Sequence, residues 1–437
     1  MRLLFLIGDT GGGHRSAAAA VAQALDRAWP GRFAPFICDP LQGPNAPRRL
    51  RWLVALYGPA IRLTPWLWGV LWRAWGSPRA LRWLRRTFMA PAYGSVARVI
   101  ATHRPAMIVS FHPMTSEPAV RARERTAQLL PIVTVITDLI TTHLSWRDAA
   151  VDRVIVPSAA IASRCCQDGM PEGHYVEIGL PVSAEFCRPP ATPAERAVLR
   201  RSLGLREQFL VVVTGGAEGS GGIDRRTEAI LRHLDDVSVA VICGRNEALR
   251  RRLARLADEA DGRLTVHGFV DNMADWLRCA DVVVGKAGPG TIAEATCCGA
   301  PLLLTSYVPG QEEGNAEYVV QAGAGRYAPR PADLVSAIRT LRDDPQALAA
   351  MRTASAGLAR PTAAADIADL LTDIASDASC GEPAALSGRP HRRRKARSAN
   401  RRSRHRRRRQ LVSRRLRRDR YRSSGTDRPQ GADRTPV

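Results

Sequence analysis

Short, continuous apolar runs alternate with longer Ala-, Arg- and Leu-rich stretches of helical character through most of this 437-residue chain. The apolar runs lie at residues 3–7, 107–111, 132–136, 154–156, 210–213, 239–243, 282–284 and 302–304. Helical patterns include residues 16–28, 247–258, 291–298, 332–342, 346–358 and 363–376. Apolar strands that alternate with helices are typical of parallel sheets covered by helices on both faces. The pattern therefore predicts an α/β fold.

The alternation pauses once, at residues 179–202, where four prolines predict a linker. The chain is also too long for one hydrophobic core, so we expect two Rossmann-like domains with a cleft between them. The predicted domains are residues 1–185 and 186–380, followed by a tail at 381–437. The tail has no apolar periodicity, which predicts disorder. Ligands of open α/β sheets bind at the carboxyl ends of the strands.

The formal net charge of +23 by itself favours a nucleic-acid-binding protein. However, residues 389–437 hold 21 of the 64 Lys+Arg and only 3 of the 41 Asp+Glu. The rest of the chain is therefore only slightly basic. Three interpretations of the tail stay open: a tether to anionic lipid, an inert extension, and a contact with nucleic acid without sequence specificity.

Nine cysteines are present, and none has the spacing of a metal site. We therefore expect free thiols in a reducing compartment and no metal ion. The first apolar run is too short for a signal peptide, and no run is long enough for a membrane span.

Segment 48–90 is unusual because it holds six of the nine tryptophans and nine arginines. Tryptophan prefers the membrane interface, and arginine attracts anionic headgroups. The segment predicts a monotopic helical hairpin that dips into a membrane. The alternative is a helical insertion whose tryptophans pack on its own domain. The six tryptophans are Trp52, Trp66, Trp68, Trp72, Trp75 and Trp83.

A glycine-rich loop, GDTGGGH at residues 8–14, connects the first predicted strand and helix. Gly12 and Gly13 let the backbone approach a ligand, and the positive end of the helix should keep His14 neutral. A neutral imidazole that faces a cleft can act as a general base on an alcohol. The alternative is a structural histidine that caps the helix.

Two motifs in the second half point to a phosphate and a sugar. Residues 281–295 place a Gly-rich turn between a strand and a helix, which suits a diphosphate, and a carboxylate one turn into that helix suits a ribose. Residues 309–315 gather amides and carboxylates of the kind that bind a polyhydroxylated ring. The alternatives are a plain capped helix and a solvated turn. The candidate residues are Lys286, Gly288, Gly290, Thr291, Glu294, Gln311, Glu312 and Asn315.

Two further loops follow predicted strands of the same half. Gly215 and Gly216 begin a Gly-rich loop that can wrap a diphosphate or a sugar, and Phe269 and Val270 follow a strand at a position suited to a base. All four loops lie at the carboxyl ends of strands, which predicts a nucleotide-sugar site.

These motifs, in this order, resemble the monogalactosyldiacylglycerol synthase family of glycosyltransferases. The matching stretches are GDTGGGHRSA at 8–17, FHP at 111–113, TDLITTHLSW at 137–146, GLPV at 179–182, ICGRN at 242–246, KAGPGTIAEA at 286–295 and PGQEEGN at 309–315. One departure is Leu144, which follows His143 where the family usually has proline.

The resemblance implies a GT-B architecture and an inverting transfer of hexose from a UDP-sugar to the 3-hydroxyl of 1,2-diacylglycerol. Galactose is favoured and glucose is the alternative. The resemblance implies that the first half binds the lipid acceptor and lies on the cytoplasmic face of the membrane. The second half would bind UDP-galactose or UDP-glucose. It implies no cofactor, no metal in the chemistry and no specific nucleic acid.

The resemblance also implies roles for individual residues. His14 is the expected base, and Asp9 and Asp138 are candidates to orient or assist it. Gly290 and Thr291 would meet the diphosphate, Glu294 the ribose, Phe269 and Val270 the uracil, and Gln311 and Glu312 the hexose. The remaining donor-side candidates are Gly215, Gly216, Gly244, Arg245, Lys286, Gly288 and Asn315. The candidates for acceptor or membrane contact are Gly12, Gly13, Trp66, Trp68, Trp72, Trp75, His143 and Trp146.

Two other functions compete with this one. The first is transfer of N-acetylglucosamine to another lipid-linked acceptor, since the peptidoglycan lipid-intermediate transferase has a similar Gly-rich loop. The second is nucleic-acid binding through the basic tail. The TDLITTHLSW and GGGH stretches favour the diacylglycerol enzymes.

Overall fold

A computed structural model of the chain describes residues 1–9, 12–43, 46–56, 58, 64–87, 90–126, 130–147 and 150–379. The tail at 381–437, Thr10 and Gly11 of the first glycine loop, and residues 59–63 of the tryptophan-rich segment lie outside these described residues.

The first half of the chain forms a six-stranded parallel sheet in the order β2-β1-β3-β4-β5-β6. Its strands are β1 (Arg2–Leu6), β2 (Ala34–Cys38), β3 (Met107–Ser110), β4 (Ile132–Val135), β5 (Arg153–Val156) and β6 (Tyr175–Glu177). Its helices are α1 (Gly13–Ala28), α2 (Arg48–Ala55), α3 (Pro65–Trp75), α4 (Pro78–Thr87), α5 (Ala90–His103), α6 (Ser116–Thr126) and α7 (Ala159–Gln167). A short 3-10 turn spans Leu144–Trp146.

The second half forms another six-stranded parallel sheet, in the order β12-β11-β10-β7-β8-β9. Its strands are β7 (Phe209–Thr214), β8 (Val237–Ile242), β9 (Leu264–His267), β10 (Val282–Lys286), β11 (Leu302–Ser306) and β12 (Gly325–Tyr327). The helices that follow the linker are α8 (Pro193–Ser202), α9 (Ile223–His233), α10 (Glu247–Glu259), α11 (Met273–Cys279), α12 (Pro289–Cys297), α13 (Glu313–Gln321), α14 (Pro331–Asp343), α15 (Pro345–Leu358) and α16 (Ala363–Ser379).

The predicted α/β fold with two parallel sheets is confirmed. The eight apolar runs in the sequence form the inner strands, which are buried along almost their whole length. The four other strands, β2, β6, β9 and β12, are the edges of the two sheets and are only partly buried. An edge strand carries fewer consecutive apolar residues, so its pattern in the sequence is weaker.

The predicted linker is wrong over its second part, because residues 193–202 form helix α8. Pro193 occupies the first turn, and Thr192 and Glu195 form a capping box that satisfies the first backbone N–H groups. A buried ion pair of 2.7 Å between Arg200 and Asp281 anchors this helix to the second sheet. The prolines here therefore mark a helix start.

The last helix returns to the first sheet. Ile367 and Leu371 of α16 are buried in the same core as Phe5 of β1 and Val21 of α1. The predicted domain boundaries stay a prediction, and the structure adds that part of the second predicted segment packs on the first core. Within the described ranges, no helix combines the length and apolar character needed to cross a membrane.

Candidate functional site

His14 lies in the first turn of α1, at the carboxyl end of β1. Its Nδ1 is 2.7 Å from the Thr137 hydroxyl, and its ring meets the ring of His112 edge-on, with centroids 4.7 Å apart. Burial lowers the pKa of His14 to about 4, while the Phe111 main chain and the Asp9 charge oppose the shift. The imidazole is therefore neutral near pH 7, as expected, but burial and not the helix end is the main cause.

His112 is a site residue that the sequence analysis did not assign, although it belongs to the FHP stretch. Its Nδ1 accepts the Met114 N–H at 3.2 Å, and burial holds its pKa well below the ordinary value. A side chain at Gly8 would come within 2.6 Å of this ring. The first glycine of the loop is therefore needed so that His112 can lie beside His14.

Asp138 and Asp9 have different environments. The Asp138 carboxylate is buried and accepts the Trp146 Nε1–H at 2.6 Å. Burial raises the pKa of Asp138 to about 7, even though hydrogen bonds from Trp146 and Gln311 lower it. Asp9 instead pairs with Arg15 at 2.8 Å on the surface. Asp138 therefore lies in the cleft and contacts the second half through Gln311, while the side chain hydrogen-bonded to His14 is that of Thr137.

The amino end of α12 is the open end of the predicted diphosphate site. Pro289 occupies the first turn and no side chain caps the helix; among the described residues, nothing outside this helix and the adjoining residues lies within 4 Å of where a side chain at Gly290 would begin. The backbone N–H groups of Gly290 and Thr291 precede the first helical hydrogen bond, which Ile292 donates to Gly288. Such free N–H groups form an anion-binding site.

The loop at residues 309–315 is tied to the turn between β10 and α12. Glu312 pairs with Lys286 at 2.8 Å and accepts the Val308 N–H at 2.9 Å. Asn315 is 1% exposed, and its amide donates to the Ala287 carbonyl at 2.9 Å. Glu312 and Asn315 thus fix the shape of this loop; their predicted contact with a hexose stays a prediction.

Glu294 lies one turn into α12 and faces a second carboxylate. Burial, and to a lesser extent the charge of Glu185, raises the pKa of Glu294 to about 7. A carboxyl group that is protonated in part of the neutral range can both donate and accept hydrogen bonds. This chemistry suits the hydroxyl pair of a ribose, which was its predicted partner.

The predicted uracil position is an exposed aromatic side chain beside a guanidinium. Phe269 is 57% exposed, and the Arg245 guanidinium lies 5.2 Å from its ring centre. Gly244 has a φ of 57°, and a side chain there would lie 2.4 Å from the Ala217 carbonyl. The glycine loops after β7 and β8 therefore pack together and present Arg245 at the surface. Val270 packs against the core.

The structure brings the first and second halves together at these loops. A side chain at Gly12 would begin 3.0 Å from the Ala217 side chain, and α1 contacts α12. A cavity of about 580 Å³ lies in the second half beside Gly221 and Lys286. Another of about 470 Å³ lies between the halves, with Leu139, Ile140, Ile292 and Tyr318 in its lining. His14 and Thr291 therefore belong to helices that meet across one cleft.

The tryptophans divide into exposed and packed groups. Trp66 is 69% exposed, and Trp52 and Trp83 are also exposed. Trp68 lies within ring contact of Trp72 and Trp75, and Trp72 meets the buried His143 with centroids 4.9 Å apart. The packed tryptophans fit the alternative of a helical insertion, and the membrane contact of the exposed ones stays a prediction.

Two predicted acceptor residues, His143 and Trp146, are held inside the fold. His143 Nδ1 accepts the Ser145 N–H at 3.2 Å and lies 2.8 Å from the Ser145 hydroxyl. Trp146 is 0% exposed, and its ring centre is 6.0 Å from that of His14. Trp146 therefore packs near the His14 ring and donates a hydrogen bond to the Asp138 carboxylate. No cluster of three or more His, Cys, Asp or Glu side chains suited to a metal ion occurs in the part of the chain that the structure describes.

Two family models match this chain, one in each half. Residues 14–182 match the family model for monogalactosyldiacylglycerol (MGDG) synthase, and residues 210–371 match the C-terminal domain of glycosyltransferase family 28. Monogalactosyldiacylglycerol synthase 1 of Arabidopsis thaliana is 33% identical over 349 residues, which is 76% of this chain and 63% of that protein. Synthase 3 of the same plant is 31% identical over 388 residues, 84% of this chain and 79% of that protein.

The chain spans 63% to 64% of the length of the first curated relatives it matches. Among solved structures, MurG of Acinetobacter baumannii superposes with a TM-score of 0.54 at 16% identity, over 85% of this chain and 99% of MurG. At this low identity the likeness is one of fold, and it confirms the predicted two-sheet architecture.

Proposed function

The chain belongs to the monogalactosyldiacylglycerol synthase family, and on this premise we propose that it transfers galactose from UDP-galactose to the 3-hydroxyl of 1,2-diacylglycerol. The names of its relatives describe synthesis of the lipid that this transfer would form. The observation that carries the proposal is the neutral His14 on a helix that meets the anion-binding helix α12 across the cleft.

The proposed chemistry is a single displacement. His14 takes the proton of the acceptor hydroxyl while that oxygen forms a bond to the anomeric carbon. The bond from this carbon to the β-phosphate oxygen breaks, and its electron pair leaves with UDP. The N–H groups of Gly290 and Thr291 and the helix dipole stabilise the charge that develops on UDP. Attack from the face opposite the leaving group gives inversion.

The donor would lie along the second half. Glu294 would hold the ribose, and uracil would lie against Phe269 and Val270 near Arg245. Lys286 lies at the turn before Gly288 and Gly290, where its charge can assist the diphosphate. Gln311 reaches the hexose side of the cleft, where it contacts Asp138.

The membrane side of the proposal depends on the exposed apolar surface of the first half. Trp66, Leu67 and Val70 are exposed on α3, and Arg79 and Arg82 are exposed on α4. Such a surface suits an anionic interface. We place the protein peripherally on the cytoplasmic face. The eight described cysteines are free, which suits that reducing side.

A donor and acceptor panel tests the proposal. Purified protein is incubated with diacylglycerol and UDP-galactose, UDP-glucose or UDP-N-acetylglucosamine, and the lipid product is identified by chromatography and mass spectrometry. We expect a monohexosyl lipid from UDP-galactose, with weaker or no product from the other donors. A product from UDP-N-acetylglucosamine alone, or no glycolipid from any donor, would contradict the proposal.

A further inference from the structure

Helix α3 has two distinct faces. One carries Trp66, Leu67 and Val70, which are exposed. The other carries Gly69 and Trp72, which face the fold. A glycine inside a helix costs stability relative to alanine, so its presence indicates that another chain segment comes close.

The segment that comes close to Gly69 is the PGQEEGN loop of the second half. A side chain at Gly69 would lie 2.8 Å from Cβ of Pro309. One at Gly310 would lie 2.7 Å from the Trp72 ring. Arg73 adds an ion pair of 3.2 Å with Glu313. Helix α3 belongs to the first half, so these contacts join the two halves across the cleft.

The loop that α3 covers has well-defined partners on its other side. Glu312 is paired with Lys286 at the donor turn, Asn315 holds the Ala287 carbonyl, and Gln311 reaches Asp138. A shift of Pro309 and Gly310 would therefore move the side chains that face the donor. The exposed ion pair by itself contributes little, so the close packing at Gly69 is the stronger constraint.

We propose that α3 is a positioning element for the hexose of the donor: its exposed face rests on the membrane, and its packed face holds the 309–315 loop in the shape that binds the sugar. The membrane would thereby favour the conformation in which the hexose site is complete. This inference rests on the proposed function, because it uses a lipid surface and a UDP-hexose.

The variant Gly69→Ala tests the packed face. Alanine is the better helix former, so loss of helix α3 would not explain an effect. Its methyl group must displace Pro309. The control is Gly94→Ala, an exposed glycine of helix α5, where the added carbon meets no described residue within 4 Å outside its own helix. Overpacking at Gly69 displaces the neighbouring backbone and distorts the loop at 309–315. We therefore expect Gly69→Ala to raise the KM for UDP-galactose by about tenfold, while inhibition by UDP is unchanged.

A second measurement tests the link to the membrane. UDP-galactose binding is measured without acceptor, with vesicles of phosphatidylcholine alone or mixed with phosphatidylglycerol. We expect mixed vesicles to tighten binding to the unmodified chain and to Gly94→Ala, but not to Gly69→Ala, which still binds the vesicles.

The outcomes separate this inference from the proposed function. If the unmodified chain transfers galactose and binds vesicles, but Gly69→Ala keeps its KM for UDP-galactose, the role of α3 is overturned. Equal weakening of UDP and UDP-galactose also overturns it, because the hexose loop would then not be the part affected. Absence of transfer by the unmodified chain would instead contradict the proposed function.

Discussion

His14 shows how a single environment prepares a side chain for chemistry. Its ring is partly buried and packs edge-on against His112, with Nδ1 next to the Thr137 hydroxyl, and desolvation keeps its pKa at about 4. Because this pKa lies well below 7, the imidazole stays unprotonated over the neutral range, although it is a weaker base than a histidine with the ordinary pKa. The surrounding side chains therefore keep the proposed base ready over the neutral range.

Replacement of His14 tests its role as the base. We expect His14→Ala to lower the rate of hexose transfer by about 10² to 10⁴, the usual contribution of a general base. UDP binding should persist, because the proposed diphosphate contacts lie on α12. Transfer is measured with radiolabelled donor, and the control is the exposed His233, as His233→Ala. Turnover by His14→Ala at the rate of the unmodified chain would remove His14 from the mechanism.

Glu294 predicts a dependence of stability on pH. Burial raises the pKa of Glu294 from 4.5 to about 7, so the folded chain binds a proton that the unfolded chain has lost within this window. The stability contribution of Glu294 therefore falls as pH rises from 4.5 to about 7 and is constant above it.

The neutral variant Glu294→Gln removes this dependence. The difference in unfolding free energy between Glu294→Gln and the unmodified chain should therefore shift in favour of the variant by up to about 3 kcal/mol from pH 5 to pH 8. Melting temperatures at the two pH values measure this difference, with the exposed Glu228, as Glu228→Gln, for control. Parallel pH curves for Glu294→Gln and the unmodified chain would contradict the raised pKa.

Helices α3 and α8 show how packing against neighbouring elements determines the structure and exposure of a segment. The prolines at residues 181–193 predict a linker, yet Thr192 and Glu195 cap helix α8, which Arg200 fastens to the second sheet. The tryptophans of α3 are interleaved along the chain, but helical geometry sorts them into an exposed side and a packed side.

The exposed side of α3 should carry membrane binding. We expect the double substitution Trp66→Ser and Val70→Ser to weaken binding to anionic vesicles by about tenfold or more, because both apolar side chains lose their burial in lipid. Sedimentation with vesicles measures this, while UDP affinity should be unchanged. The control is Val198→Ser, an equally apolar exposed position on α8. Undiminished vesicle binding by the double variant would show that α3 does not face the membrane.

At the scale of the whole molecule, the two halves are held together by more than the linker. Gly12 packs on the loop after β7, and α3 packs on the loop before α13. Helix α16 follows the second sheet in the chain but is buried in the core of the first. The two sides of the cleft are thus connected by the return of α16 to the first core and by the loop contacts at Gly12 and α3.

The last helix should stabilise the first half. Leu371 is 1% exposed in the core with β1 and α1, so Leu371→Ala should cost about 2 to 5 kcal/mol of unfolding free energy. Denaturant unfolding measures the loss. The control on the same helix is the exposed Asp373, as Asp373→Ala. Equal stability of Leu371→Ala and the unmodified chain would mean that α16 is dispensable for this core.

The amino-acid sequence by itself determined the inner strands, the order of the glycine loops and the family. These features depend on neighbouring residues, since a strand buried on both faces is a continuous apolar run and a phosphate loop is a short run of glycines. The predicted His14, Asp138, Thr291 and Gln311 could be placed at strand ends for the same reason.

Only the tertiary structure decided how these parts meet. The edge strands find their places only by pairing with strands from other parts of the chain. In the site, Lys286 pairs with Glu312, and His14 contacts Thr137 and His112; each contact joins residues that are not neighbours in the sequence. Arg73 and Glu313, where α3 reaches the loop at residues 309–315, are 240 residues apart. No local pattern records a long-range contact, because burial and charge at such a site come from the partner segment and exist only once both halves have folded.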